Sequence, residues 1–127
     1  MRKSPKIMIV DDHAGIRLLL GAYLGRKYDV TTVRNGMDGL SLLSSGETPD
    51  LIVLDMDMPD LNGYGFLQQI RSSGYLGNIP VIMVSGSEDQ QTREACRQLG
   101  VSGMFNKPFN PSQLHDTIEL TLHQYGN

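Results

Sequence analysis

The sequence predicts an α/β domain built on a five-stranded parallel sheet, strand order 2-1-3-4-5, with five helices shared between the two faces of the sheet. Three observations predict it. The runs Ile7-Met8-Ile9-Val10, Leu51-Ile52-Val53-Leu54 and Val81-Ile82-Met83-Val84 are continuous rather than alternating and rich in β-branched residues. That is the pattern of strands buried on both faces. Stretches of helical period lie between them. Strand and helix alternate strictly, which favours parallel pairing through right-handed crossovers.

In chain order, the first apolar run leads to a helix in which Ile16, Leu19, Leu20, Tyr23 and Leu24 share one face. A weaker strand, Asp29 to Val33, follows, and then a helix from Asp38 to Leu43 that Gly46 stops. After the second apolar run, Gly63 precedes a helix carrying Phe66, Leu67 and Ile70, with Gly74 ending the segment. The third run is followed by a helix from Ser87 to Leu99, with Ser87 as its N-cap, Glu88 and Asp89 favourable beside the helix N-terminus, and Gly100 closing it. A second weak strand, Ser102 to Asn106, precedes a last helix that opens at Pro111-Ser112 and carries Leu114, Ile118, Leu122 and Tyr125. Ten alternating elements in this arrangement fit the flavodoxin-like order.

The 127 residues suit a single domain, with its core between about residues 6 and 124. The composition is 39% apolar and 20% charged, and the net charge of −3 gives no bulk attraction to nucleic acid or acidic lipid. The short basic cluster of Arg2, Lys3 and Lys6 is expected to be solvated. The lone Cys96 excludes an internal disulfide and a multi-cysteine metal site, and is expected to be a small buried residue in a reducing compartment. No apolar run approaches the roughly 20 residues that span a bilayer, and the N-terminus lacks the apolar stretch of a signal peptide. A cytoplasmic location without membrane attachment is therefore expected.

The polar residues collect at the strand ends. Asp11-Asp12 follow the first strand, Asp55-Met56-Asp57 the third, Ser85-Gly86-Ser87 the fourth and Asn106-Lys107-Pro108 the fifth. In open parallel sheets the crevice outside the carboxyl ends of the strands is where ligands bind. Strands 1, 3, 4 and 5 are neighbours in the predicted order, so one crevice gathers several carboxylates, a hydroxyl and an ammonium. Clustered carboxylates repel unless a cation joins them, and Mg²⁺, which takes one or two carboxylates with waters and phosphate oxygens, answers that need. Lys107 adds a point charge and Ser85 a hydroxyl donor toward a phosphate. An ionised carboxylate can itself attack phosphorus, giving an aspartyl phosphate. His115 and His123, on the last helix, are expected to be exposed and without function; His13 lies nearer the site but with no identifiable partner.

At these residues the chain resembles response-regulator receiver domains of two-component signalling. The resemblance rests on Val10-Asp11-Asp12, Leu54-Asp55-Met56-Asp57-Met58-Pro59, Gly63, Val84-Ser85-Gly86 and Lys107-Pro108-Phe109, in order, across nearly the whole chain. It implies a phosphorelay switch. Asp55 would accept a phosphoryl group from a histidine kinase or phosphotransfer protein. Asp11, Asp12 and Asp55, with the backbone carbonyl of Asp57, would hold Mg²⁺, and Ser85 and Lys107 would contact the phosphoryl group. The Lys107-Pro108 bond would be cis, and Pro59 and Gly63 would shape the loop after the acceptor. Expected partners are the phosphodonor and an unidentified downstream protein, with no direct nucleic-acid contact and a monomer or weak dimer as the assembly. The first helix would face the kinase. The fourth helix, fifth strand and fifth helix (Ser87 to Leu99, Met104, and Asn110 to Tyr125) would carry the partner or dimer face.

Two positions depart from the family pattern. Met104 stands where receivers usually place a ring that swings inward on activation; Phe105 is adjacent, but neighbouring strand residues point to opposite faces. Asp57 adds a carboxylate close to the phosphoryl position, expected to affect the lifetime of the aspartyl phosphate. The pair Asp55 and Asp57 also looks similar to the first motif of haloacid-dehalogenase-type phosphatases. That motif normally ends the first strand, and the chain has no room for a cap over a substrate. A switch rather than a multi-turnover enzyme is therefore expected, with a receiver fold that signals by docking alone as the remaining alternative.

Overall fold

The computed structural model describes residues 4–86 and 89–126, of which 125 and 126 are described by their backbone alone. Ten elements alternate: β1 (Lys6–Val10), α1 (Ala14–Leu24), β2 (Asp29–Val33), α2 (Gly36–Ser44), β3 (Leu51–Asp55), α3 (Gly63–Arg71), β4 (Val81–Ser85), α4 (Gln90–Gln98), β5 (Gly103–Asn106) and α5 (Pro111–Gly126). All strand pairs are parallel and the order is β2-β1-β3-β4-β5, as the sequence predicts.

The apolar runs are buried on both faces because alternate side chains serve two cores. Met8, Val10, Ile52, Leu54, Val81 and Met83 meet α2, α3 and α4 through Leu43, Phe66, Leu67, Ile70 and Cys96. Ile7, Ile9, Leu51, Val53, Ile82 and Val84 meet α1 and α5 through Leu20, Leu24, Leu114 and Ile118. Met104 packs with the first set and Phe105 with the second, so the two do lie on opposite faces. Cys96 is buried in the first core, and burial pushes its thiol above the usual range.

Local chemistry sets the helix ends. Asn35 Oδ1 accepts from Asp38 N at 2.7 Å and caps α2, so this helix begins two residues before the predicted Asp38; such a cap contributes about 1 kcal/mol. Asn62 caps α3 through Gly65 N. Asn110 Oδ1 accepts from Ser112 N ahead of Pro111, the first residue of α5. Gly46 and Gly100 take positive φ just beyond α2 and α4, as their predicted stopping role requires. Asp89 caps α4 through Gln91 N and Thr92 N. Asp89 is thus the capping residue rather than part of the first turn; Ser87 and Glu88 lie outside the described residues, as do Arg2 and Lys3.

Two side chains depart from expectation. The helical period puts Leu19 on the buried face of α1, yet it is 49% exposed. Leu20 and Leu24 carry that contact, with Ile16 and Tyr23 partly buried beside them. His115 is half-buried rather than exposed, because its ring packs edge-on against Tyr23 and also against Tyr28. His123 is exposed as expected.

Candidate functional site

β3 and β4 each run one residue beyond their apolar run, so Asp55 and Ser85 are the last residues of adjacent strands. β1 ends at Val10 and delivers Asp11 beside them, its N–H bonded to Val33 O at 3.1 Å. Asp55 and Ser85 are each 1% exposed and Asp11 is 4% exposed. The loop after β3 is tight. A Cβ at Gly63 would sit 2.6 Å from Asp55 O and 2.7 Å from Met56 Cα, so only glycine fits. Gly63 N in turn donates to Met56 O at 3.0 Å.

The two oxygens of Asp55 differ. Oδ1 accepts from Lys107 Nζ at 3.0 Å and from Asp57 N at 3.0 Å. Oδ2 is buried and has no hydrogen-bond partner among the described residues. Lys107 Nζ also lies 3.5 Å from Asp11 Oδ2. The lysine is held in place by its backbone N–H, which donates to Ser85 O at 2.9 Å, and the Lys107-Pro108 bond is cis.

Burial pushes the Asp55 carboxyl up to about 6, although the Lys107 ammonium and the Asp57 N–H pull the other way; the nearby Asp11 charge adds to the rise. Burial alone would lower the Lys107 pKa, but hydrogen bonding and charge from Asp55 and Asp11 raise it above the ordinary lysine value.

Ligand atoms of Asp11, Asp12, His13 and Asp55 lie within 4.8 Å of one another. This donor set fits a hard divalent cation, since three of the four residues each offer a carboxylate oxygen. The Asp57 carboxylate is not part of this group. It turns away, and its Oδ2 accepts from Gly86 N at 2.8 Å. Asp57, Ser85, Met56, Met58, Asn62, Asp89, Thr92 and Arg93 line an open cavity of about 420 Å³ between the β3–α3 loop and α4.

Sequence reasoning had no partner for His13. Its Nδ1 lies 3.3 Å from Asp11 Oδ1 and 3.2 Å from Asp12 Oδ1. The signal was its place directly after the aspartate pair. Two arginines outside the predicted set also reach the site. Arg17 donates to Asp11 O at 2.8 Å from the first turn of α1, and Arg93 on α4 donates to Asn106 Oδ1 at 2.9 Å, beside Lys107. The second contact has no sequence signal, since it depends on where the fold brings α4 relative to Asn106.

Known proteins share this fold. The family model described as response regulator receiver domain matches residues 7–119. A probable transcriptional regulator ycf27 of Porphyridium aerugineum is 36% identical over 123 residues, covering 96% of this chain and 50% of that protein. Hybrid signal transduction histidine kinase D of Dictyostelium discoideum is 32% identical over 114 residues, covering 90% of this chain and 7% of that protein. The chain thus spans about half the length of the ycf27 relatives it matches. Among solved structures, the receiver domain of a histidine kinase from Syntrophus aciditrophicus superposes with a TM-score of 0.88 at 27% identity, covering 96% of this chain and 92% of that one. A chemotaxis response regulator of Vibrio cholerae superposes with a TM-score of 0.84 at 26% identity, covering 94% and 100%. The chain belongs to the response regulator receiver domain family, the phosphorelay switches of two-component signalling.

Proposed function

We propose that Asp55 is the phosphoryl acceptor and that Oδ2 is the oxygen that attacks. The observation that carries this is the asymmetry of the carboxylate: Oδ1 is engaged by Lys107 and the Asp57 N–H, while Oδ2 is buried and unpartnered among the described residues. The Oδ2–phosphorus bond forms as the bond from phosphorus to the donor's leaving group breaks, and the donor is a histidine kinase or a phosphotransfer protein. Asp11, Asp12 and Asp55, with the Asp57 carbonyl, would hold Mg²⁺. When bound, the ion would supply charge neutralisation for the attacking carboxylate and the incoming phosphoryl oxygens.

The chain's own residues do the rest. The Asp57 N–H and Lys107 fix the carboxylate, and Lys107 also balances the growing negative charge. Ser85, at the end of the adjacent strand, turns its hydroxyl to a phosphoryl oxygen. The reading is of one receiver domain, cytoplasmic, acting as a switch rather than as a multi-turnover phosphatase. Its output is docking to a downstream protein and not direct contact with nucleic acid. No helix among the described residues is long and apolar enough to cross a membrane.

Incubation with acetyl phosphate and Mg²⁺ tests the proposal. Intact-mass measurement should show one added phosphoryl group in the wild type and none in Asp55→Asn. Steady release of phosphate from a small phosphomonoester over many turnovers would favour the phosphatase reading instead.

A further inference from the structure

His13 occupies the N-cap position of α1 but its side chain makes no capping bond. Serine, threonine, aspartate or asparagine would serve that position better by about 1 kcal/mol. The ring turns instead onto the aspartate pair, with Nδ1 3.2 Å from Asp12 Oδ1 and 3.3 Å from Asp11 Oδ1. Asp11 Oδ1 is itself fixed by the His13 N–H at 2.9 Å. Two ligands at right angles on an ion with bonds of about 2.1 Å are about 3 Å apart, close to these spacings. The fourth member of the group, Asp55, is 1% exposed, and one of its carboxylate oxygens has no hydrogen-bond partner among the described residues. The ring is 62% exposed, so it stands at the rim of the site, where an arriving ion would meet it first.

We propose that His13 contributes an imidazole nitrogen to the metal set of Asp11, Asp12 and Asp55, so that this site takes a transition-metal divalent such as Co²⁺ or Mn²⁺ more tightly than Mg²⁺. The inference rests on the metal reading of the site given above. Mg²⁺ prefers oxygen ligands and gains little from an imidazole, whereas first-row transition divalents accept it readily.

Calorimetric titration of the full chain with MgCl₂ and with CoCl₂, at one mildly alkaline pH, tests it in the wild type, His13→Ala and Asp55→Asn. Pulsed electron paramagnetic resonance of the Mn²⁺-loaded proteins gives a second readout. The wild type should bind Co²⁺ more tightly than Mg²⁺. His13→Ala should lose about tenfold in Co²⁺ affinity, the size of effect expected for a group that supports a metal site, with Mg²⁺ affinity nearly unchanged. A ¹⁴N modulation should be present in the Mn²⁺-loaded wild type and absent from His13→Ala. Equal Co²⁺ affinity in the two proteins, or a nitrogen signal that survives in His13→Ala, overturns the role of His13 while Mg²⁺ binding weakened by Asp55→Asn keeps the carboxylate site. Failure of both ions to bind, or binding unaffected by Asp55→Asn, overturns the metal reading as well.

Discussion

The ammonium of Lys107 lies 3.0 Å from Asp55 Oδ1 and 3.5 Å from Asp11 Oδ2, so one cation serves two carboxylates that are nearly excluded from solvent. Lys107→Ala leaves both without it. In the presence of EDTA the variant should lose about 1–3 kcal/mol of stability at neutral pH, the usual penalty for a buried group deprived of its partner. Urea melts with and without Mg²⁺ check this. The loss should shrink when Mg²⁺ is added, because the ion supplies the missing positive charge. A loss that Mg²⁺ does not touch would contradict the shared-cation account.

The raised pKa of Asp55 makes a pH prediction with a definite sign. In the unfolded chain this carboxyl ionises near its ordinary 3.8, and in the metal-free fold near 6. Between those values the native state binds more protons than the unfolded state, so stability falls as pH rises through that window and the penalty persists above it. Asp55→Asn removes the buried charge. Its melting temperature in EDTA should exceed that of the wild type by several degrees at pH 7.5, and by much less at pH 4. An advantage independent of pH would show that Asp55 does not carry the shift.

Gly63→Ala places a methyl group 2.6 Å from Asp55 O and 2.7 Å from Met56 Cα, both backbone atoms that cannot step aside. A loss of about 2–4 kcal/mol is expected, in the range of steric clashes at a special backbone position. Chemical denaturation measures it. Gly74→Ala is the matching control, since a Cβ there meets nothing within 4 Å.

How much of this was legible in advance follows from what each signal depends on. The continuous apolar runs announced β1, β3 and β4, because a strand covered on both faces must be apolar throughout. The strand ends announced Asp11, Asp12, Asp55, Ser85 and Lys107, because parallel topology forces those ends into one crevice. Contacts set by helix placement were not legible. Leu19 fits the helical period of the buried face yet is half exposed, since α1 turns Leu20 and Leu24 to the sheet. Nothing in the sequence marks His115 as packed, because its contacts with Tyr23 and Tyr28 depend on how α5 lies against α1 and the turn after it. Arg93 reaches Asn106, thirteen residues along the chain, through a contact that the fold alone sets.

Asp57 separates charge from anchoring. Its Oδ2 accepts from Gly86 N at 2.8 Å, tying the β3–α3 loop to the residue after Ser85. Asparagine keeps an acceptor oxygen there and removes the charge that can order an attacking water. Asp57→Asn should therefore slow loss of the phosphoryl group several-fold, read by phosphate release after the donor is removed, with Mg²⁺ affinity little changed. An unaltered rate would show that the carboxylate only anchors the loop.

The most direct test of the central claim locates the phosphoryl group chemically. Borohydride reduces an acyl phosphate on aspartate to homoserine, and peptide mapping then finds the residue. After incubation with acetyl phosphate and Mg²⁺, homoserine should appear at position 55 and nowhere else, and should vanish when Mg²⁺ is chelated beforehand. Homoserine at position 11, 12 or 57, or none at any position under conditions that phosphorylate a known receiver, would contradict the assignment of Asp55.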